Sequence, residues 1–358
     1  MRPESADPLI RGRGSVLNPP NRFEKVGLTI DGEHLDEVAA EHPHGRQVST
    51  QILVDTARTI INRVDSPDLP FHWTINPYRG CEHGCSYCYA RPTHETFGLS
   101  CGVDFETKIY AKRDAAALLR AELSSAKWCG ESIMMSGITD PYQPIERELR
   151  ITRQCLEVMA EFGQPVSIIT KNRLVTRDID LLRKLAAEGR AVVRFSLTTL
   201  DAKLSSVLEP RASSPRDRLK AIRELTDAGI PVGVMTAPII PGLNDEMIPA
   251  LLEAAAEAGA QHSAWTLLRL PWQVEQVFEQ WLRDHLPDRA DRVMNTLKSA
   301  RGGKVYDAGL NRRLRGWGAR AEQIGKMHTL MCRRFGLDKP SPVLPLMQRR
   351  GQGMLFGE

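Results

Sequence analysis

The sequence predicts an α/β protein built on a parallel sheet. Two observations predict it. From about residue 70 to 270, short runs rich in β-branched residues alternate with stretches of helical period, and two of the helical stretches stop at a glycine that leads into the next strand, in LAAEGRAVV and LTDAGIPVGV. A glycine just past a helix takes the left-handed conformation that ends it. Strands that alternate with helices lie parallel and are joined by right-handed crossovers. Six such units form either an open doubly wound sheet or an incomplete barrel, and periodicity does not separate the two. In both, residues that carry chemistry gather at the C-terminal ends of the strands.

Taken in order, residues 1–69 read as an N-terminal arm, because RGRGSVLNPPNRFE is rich in Gly, Pro and Arg and apolar periodicity begins only in QILVDTARTIINRV. The core spans 70–270. Its strands are predicted at HWTIN (72–76), SIMMSG (132–137), VSIIT (166–170), AVVRFSLTT (191–199), VGVMTAPII (232–240) and SAWTLL (263–268). The helical stretches between them are RDAAALLRAELSS, RELRITRQCLEVMAEF, TRDIDLLRKLAAEG, PRDRLKAIRELTDAG and DEMIPALLEAAAEAG. Residues 271–358 read as a helical extension passing into a basic tail, and the stretch from about 300 onward, with PSPVLP and scattered glycines, reads as weakly folded.

Composition sets the class. With 42% hydrophobic and 26% charged residues, the 358-residue chain is globular rather than fibrous or disordered. No apolar run approaches the roughly 18 residues that span a bilayer. The start, MRPESADPLIRGRG, puts acids and a proline where a signal peptide would need apolar residues, so a cytoplasmic location is expected. In that compartment clustered cysteines point to metal or redox chemistry rather than to disulfides. The net charge of +4 is uneven: residues 301–358 carry 12 Lys and Arg against 4 Asp and Glu. A basic tail suits a polyanionic partner, and a solvated surface is the alternative from charge alone. Aromatic residues are only 6% of the chain and form no array in sequence, which gives little support to single-strand binding by stacking.

Residues 81–88, CEHGCSYC, hold three of the seven cysteines. Cys81, Cys85 and Cys88 follow the first predicted strand, and Gly84 lets the loop take a positive φ. Three thiolates close neither a tetrahedral zinc site nor all the irons of a cubane, so one metal position stays open, as in a catalyst. The alternative is a structural Cys3His zinc site in a non-enzymatic protein, with His83 or His94 as fourth ligand. Cys101 lies thirteen residues beyond Cys88, too far for a ferredoxin-type spacing, while Cys129 and Cys155 sit in or beside apolar patterns and read as core thiols.

The loop resembles the C-x3-C-x2-C motif of the radical S-adenosylmethionine (SAM) superfamily, with Tyr87 as the aromatic residue before the third cysteine. The likeness extends over residues 70–270 and is closest to the spore photoproduct lyase-like subgroup, the DNA repair photolyase-like proteins, through INPYRGCEHGCSYCYARPTHE, ITDPYQPIE and the tyrosines Tyr87 and Tyr89 that flank Cys88. The resemblance implies a partial (β/α)6 barrel of the TIM type. It also implies a [4Fe–4S] cluster on Cys81, Cys85 and Cys88, whose fourth iron takes SAM and whose electron cleaves it to a 5′-deoxyadenosyl radical. On the same ground Tyr87 and Tyr89 become candidate catalytic residues, with packing against the adenine or within the loop as the alternative. Lys171 in IITKN would hold the methionyl carboxylate, Thr139 and Asp140 in SGITDPY the methionyl amino group, Ser196 in RFSLTT the ribose, and Gly242 in PIIPGLND would let the chain lie along the adenine.

One departure matters. The lyase supplies a hydrogen-donating cysteine near the end of its second strand, and MMSGITDP has none, which puts photoproduct repair in doubt and leaves the reaction unassigned. The implied partners are a flavodoxin or ferredoxin-type reductant and a nucleic acid, with no membrane. At the C-terminus, Gln352, Leu355 and Phe356 in QGMLFGE resemble the Q-x-x-L-F peptide that grips a bacterial sliding clamp.

Overall fold

The computed structural model describes residues 10–23, 46–135, 137–310 and 312–347. Its centre is a seven-stranded sheet: β1 (Ile61–Arg63), β2 (Trp73–Ile75), β3 (Ile133–Met135), β4 (Val166–Thr170), β5 (Ala191–Ser196), β6 (Val232–Ile239) and β7 (His262–Leu267). The strands lie side by side in chain order. Every pair from β2 to β7 is parallel, and β1 runs antiparallel to β2 at the edge. Six parallel strands in sequence order, each returning through a helix, make the partial (β/α)6 barrel.

The helices are α1 (Ala115–Ser124), α2 (Ile151–Phe162), α3 (Ile179–Ala187), α4 (Pro215–Asp227), α5 (Ile248–Glu257), α6 (Val274–His285), α7 (Pro287–Ser299) and α8 (Ala319–Phe335). The glycine stops are where the sequence puts them. Gly189 has φ 69° and Gly229 φ 78°, and in each case the strand follows at once. Val166, Ile168, Val193, Phe195, Val232 and Val234 pack with Leu156, Leu182, Leu225 and Leu252 of the helices into one core. Burial of each such side chain is worth roughly 1.5–3 kcal/mol.

Three expectations are corrected. First, the described residues before 70 are tied into the fold: β1 joins the main sheet, and Gln51–Val54 pairs in parallel with Lys108–Ala111, which pairs in turn with Tyr78–Arg79 beside the cysteine loop. Second, the C-terminal region is folded as far as it is described. α8 covers the outside of the barrel near β7, Leu337 is buried, and Met347 N–H donates to the Gly130 carbonyl at 2.7 Å. Third, Cys129 is exposed rather than in the core, whereas Cys155 is fully buried. Gln352, Leu355 and Phe356 lie outside the described residues. Among the described residues no helix is long and apolar enough to cross a membrane.

Candidate active site

The cysteine loop leaves β2 and crosses the C-terminal ends of the strands. Asn76, the first residue after β2, accepts the N–H groups of Gly137 and Ile138 on its side-chain oxygen at 2.9 and 3.0 Å, which joins the ends of β2 and β3. Gly80 and Gly84 turn the chain with φ 78° and 65°. The buried Arg91 then clamps the loop: its guanidinium donates to the Cys85 carbonyl at 2.8 and 3.0 Å, to the Gly102 carbonyl, and to buried Glu106. Glu106 in turn accepts the N–H groups of Arg13 and Gly14 at 2.6 and 2.9 Å. The RGRG of the arm therefore lies across the cysteine loop. A Cβ on Gly14 would fall 1.8 Å from the Gly84 carbonyl oxygen, so two glycine backbones cross where no side chain fits.

Three predicted residues meet around the loop. Asp140, between β3 and the next helix, accepts from Lys171 N–H at 2.8 Å, Thr170 Oγ1 at 2.7 Å and Tyr142 N–H at 2.9 Å, and its Oδ2 lies 3.4 Å from His83 Nδ1. Burial alone would lower the His83 pKa, but the Asp140 carboxylate and the Cys81 sulfur reverse this and raise it to about 10. Lys171, one residue beyond β4, reaches over the Tyr87 ring with Nζ 5.8 Å from its centroid. Burial opposes its charge, yet Glu209 and the Cys85 sulfur keep it protonated. Among the described residues its ammonium makes no hydrogen bond or ion pair, which leaves its three donors for a ligand.

The other predicted residues are placed differently. Thr139 Oγ1 donates to the Gly80 carbonyl at 2.6 Å and accepts from Gln143. Ser196 ends β5 and is buried, and its carbonyl accepts from Arg218 at 2.9 Å. Gly242 has φ 83°, but the Cβ it lacks would face Thr296 Oγ1 at 3.3 Å and the backbone of Val293, so the space it frees is filled by α7.

Tyr87 is buried and donates to Glu209, which also accepts from Thr198 Oγ1 at 2.7 Å and is paired with Arg218. Burial alone would raise the Glu209 pKa, but Arg218 and Lys171 outweigh it and hold it at about 2. Sequence reasoning misses Glu209, Arg218, Arg91 and Glu106. No periodicity marks them, although the closely spaced glycines of RGRG are a legible sign of close backbone packing.

The loop suits an iron–sulfur cluster. Cys81 and Cys85 are buried and Cys88 half-buried, and burial pushes the thiols of Cys85 and Cys88 up, so their thiolates need a cation of the kind a metal cluster supplies. Among the described residues no three His, Cys, Asp or Glu side chains converge as ligands of one ion, whereas a cubane places each thiolate on a different iron. His83 lies against Asp140, Asn172 and the Cys81 sulfur, and His94 donates through Nε2 to the Lys108 carbonyl at 2.8 Å while its Nδ1 is buried without a hydrogen-bond partner among the described residues. Nothing in the site favours the Cys3His zinc alternative.

The family model of the radical SAM superfamily matches residues 75–255, just over half of the chain. The chain belongs to the radical SAM superfamily. The chain is similar to the uncharacterized protein Rv2578c of Mycobacterium tuberculosis, 36% identical over 238 residues that cover 66% of this chain and 70% of the other. A radical SAM Nα-GlyT isomerase of Pseudomonas phage M6 is 28% identical over 188 residues, covering 52% of this chain and 37% of that one. In solved structures the fold is that of spore photoproduct lyase: a mutant form of that lyase superposes with a TM-score of 0.57 at 18% identity, covering 88% of this chain and 86% of the other. A second structure of the lyase, complexed with dinucleoside spore photoproduct, superposes at 0.56 with 18% identity over 79% of each chain. The protein is thus an enzyme that uses a [4Fe–4S] cluster and SAM.

Proposed function

We propose that this radical SAM enzyme acts on a nucleic acid. The observation that carries the reading is the position of its basic extension. Residues 301–320 hold six Lys and Arg against one Asp, and they fold across the C-terminal end of β7, the side on which the cysteine loop stands. Buried Arg301 donates to the Leu267 and Leu268 carbonyls, and Leu267 N–H donates to the Leu314 carbonyl at 2.8 Å. Lys304 and Arg312 remain exposed there, where phosphates approaching the mouth would meet them, whereas the Arg315 guanidinium packs on Trp265 beside α8. The ligand of the lyase complex, dinucleoside spore photoproduct, supports the same class.

When bound, the cluster and SAM supply a 5′-deoxyadenosyl radical that takes hydrogen from the substrate. The chain's own residues bind and orient. Lys171 holds the methionyl carboxylate by a charge-assisted hydrogen bond. Glu209 fixes Tyr87, and Arg91 with the arm excludes water from the back of the loop. Thr139, Asp140 and Ser196 line the SAM side, and Tyr89 faces the substrate. No cysteine stands in residues 134–141 to return hydrogen as in the lyase, so photoproduct repair is not the proposed reaction. A flavodoxin or ferredoxin-type protein is the proposed electron donor, and the peptide of Gln352, Leu355 and Phe356 the proposed clamp contact.

The test measures 5′-deoxyadenosine from anaerobically reconstituted, chemically reduced protein. A slow basal rate should rise severalfold with DNA or RNA, and Cys81→Ala should lose the iron and both rates. Failure of every nucleic acid to raise the rate would overturn the substrate class.

A further inference from the structure

The mouth of the barrel carries two aromatic rings, each backed by a guanidinium and each open to solvent. Tyr89, the residue after Cys88, is 46% exposed, with the Arg269 guanidinium 3.9 Å from its ring centroid and its hydroxyl donating to the Gly137 carbonyl at 2.8 Å. Trp272, three residues beyond Arg269, is 58% exposed, with Arg22 4.0 Å from its ring centroid and Tyr306 at 6.4 Å. Gln273 ties this rim together by donating to the Pro20 carbonyl at 2.7 Å.

The two guanidiniums differ. Arg22 is already paired with Glu95 at 2.7 Å, so it supports the indole without offering free charge. Arg269 has no ion pair among the described residues, and its charge is available. Trp272 also holds φ 50°, a conformation that bulky residues avoid.

We propose that this rim is a stacking platform for the unpaired bases of a single nucleic-acid strand. Trp272 and Tyr89 supply the ring faces, and Arg269 with the exposed cations of residues 301–320 meets the phosphates. A duplex hides its base faces within its own stack, so exposed rings of this kind reach only bases that are unstacked. A cationic ligand is disfavoured, because a guanidinium already occupies one face of each ring. The aromatic residues are few in the chain, but folding brings them from residues 89, 272 and 306 to one rim. The inference rests on the reading that the substrate is a nucleic acid.

The experiment uses full-length protein and fluorescence anisotropy at fixed salt, with a labelled oligothymidylate of about twelve residues and an abasic strand of equal charge. The oligothymidylate should bind about tenfold or more tightly than the abasic strand. Trp272→Gly, which the positive φ accommodates, should weaken oligothymidylate binding by about tenfold and abasic binding by less than about twofold. Trp272→Phe should keep most of the affinity, and melting curves check that both variants fold. Arg269→Gln should reduce the slope of log affinity against log salt by about 0.7. Binding that ignores Trp272→Gly, or an abasic strand that binds equally well, overturns the platform alone. If neither strand binds, the platform falls, while the nucleic-acid reading falls only if no DNA or RNA raises the 5′-deoxyadenosine rate.

Discussion

Tyr87 and Tyr89 stand on either side of Cys88, and the protein uses them in opposite ways. Tyr87 points inward to Glu209, in a site where each charge has a protein partner or, for Lys171, a position ready for one. Tyr89 points outward beneath Arg269, one face of its ring covered by the guanidinium, and the pair stays partly exposed to solvent. Buried polar groups that are fully paired give a single rigid geometry, which a cofactor of fixed shape requires. Exposed rings with spare charge suit a ligand that varies along its length. In the proposed reading, one tripeptide separates the side of the site that would hold the cofactor from the side that would meet substrate.

The sharpest way to break the inner side is to remove its central carboxylate. Glu209→Ala leaves Arg218 buried without its partner, and breaking a buried pair from one side costs roughly 3–5 kcal/mol. Chemical denaturation of the apoprotein should show this loss. The pH dependence has a definite sign. The folded pKa of Glu209, about 2, lies below its unfolded value of about 4.3, so its contribution is full above that value and is lost as pH falls towards 2. The stability gap between wild type and Glu209→Gln should therefore close in acid. A gap that persists unchanged at low pH would show that the residue acts through packing instead.

A smaller effect is expected at Lys171, the proposed partner of the methionyl carboxylate. A charge-assisted hydrogen bond to a carboxylate is worth about 1.5–3 kcal/mol. Lys171→Ala should weaken SAM binding by about ten- to a hundredfold by calorimetry, with iron content retained. Equal affinity would remove this lysine from the cofactor side.

How far the sequence reveals this division depends on range. The cysteine loop is legible because its spacing is local, and β4 falls at 166–170 as expected because VSIIT is a short apolar run bounded by Pro165 and Lys171. Glu209 is not legible, since its bond to Tyr87 spans 122 residues and LSSVLEPRA carries no periodic sign of it. The arm reads as an appendage because the glycines that permit a tight backbone crossing at Gly14 and Gly84 are the same residues that mark loops. The extension after residue 300 misleads for a related reason. Backbone hydrogen bonds such as Met347 to Gly130 and Leu267 to Leu314 hold it, and backbone bonds leave no trace in composition. The rim escapes a sequence reading because its rings are scattered along the chain and gathered only by the ends of the strands.

The smallest effects come from removing single hydroxyls, and they test the contrast between the tyrosines most directly. Tyr87→Phe takes one donor from a buried, ionised Glu209 and leaves the ring in place, so it should cost about 1–3 kcal/mol of stability. Tyr89→Phe removes an exposed bond to the Gly137 carbonyl that water can replace, and should change stability by less than about 0.5 kcal/mol. Because the ring under Arg269 is retained, strand binding should also change by less than about twofold. The comparison therefore predicts an asymmetry between two identical substitutions two residues apart, read in one denaturation experiment. Equal losses would mean that Tyr89 is as fully committed to the fold as Tyr87, and the outer side of the loop would then be structural rather than a surface kept open for substrate.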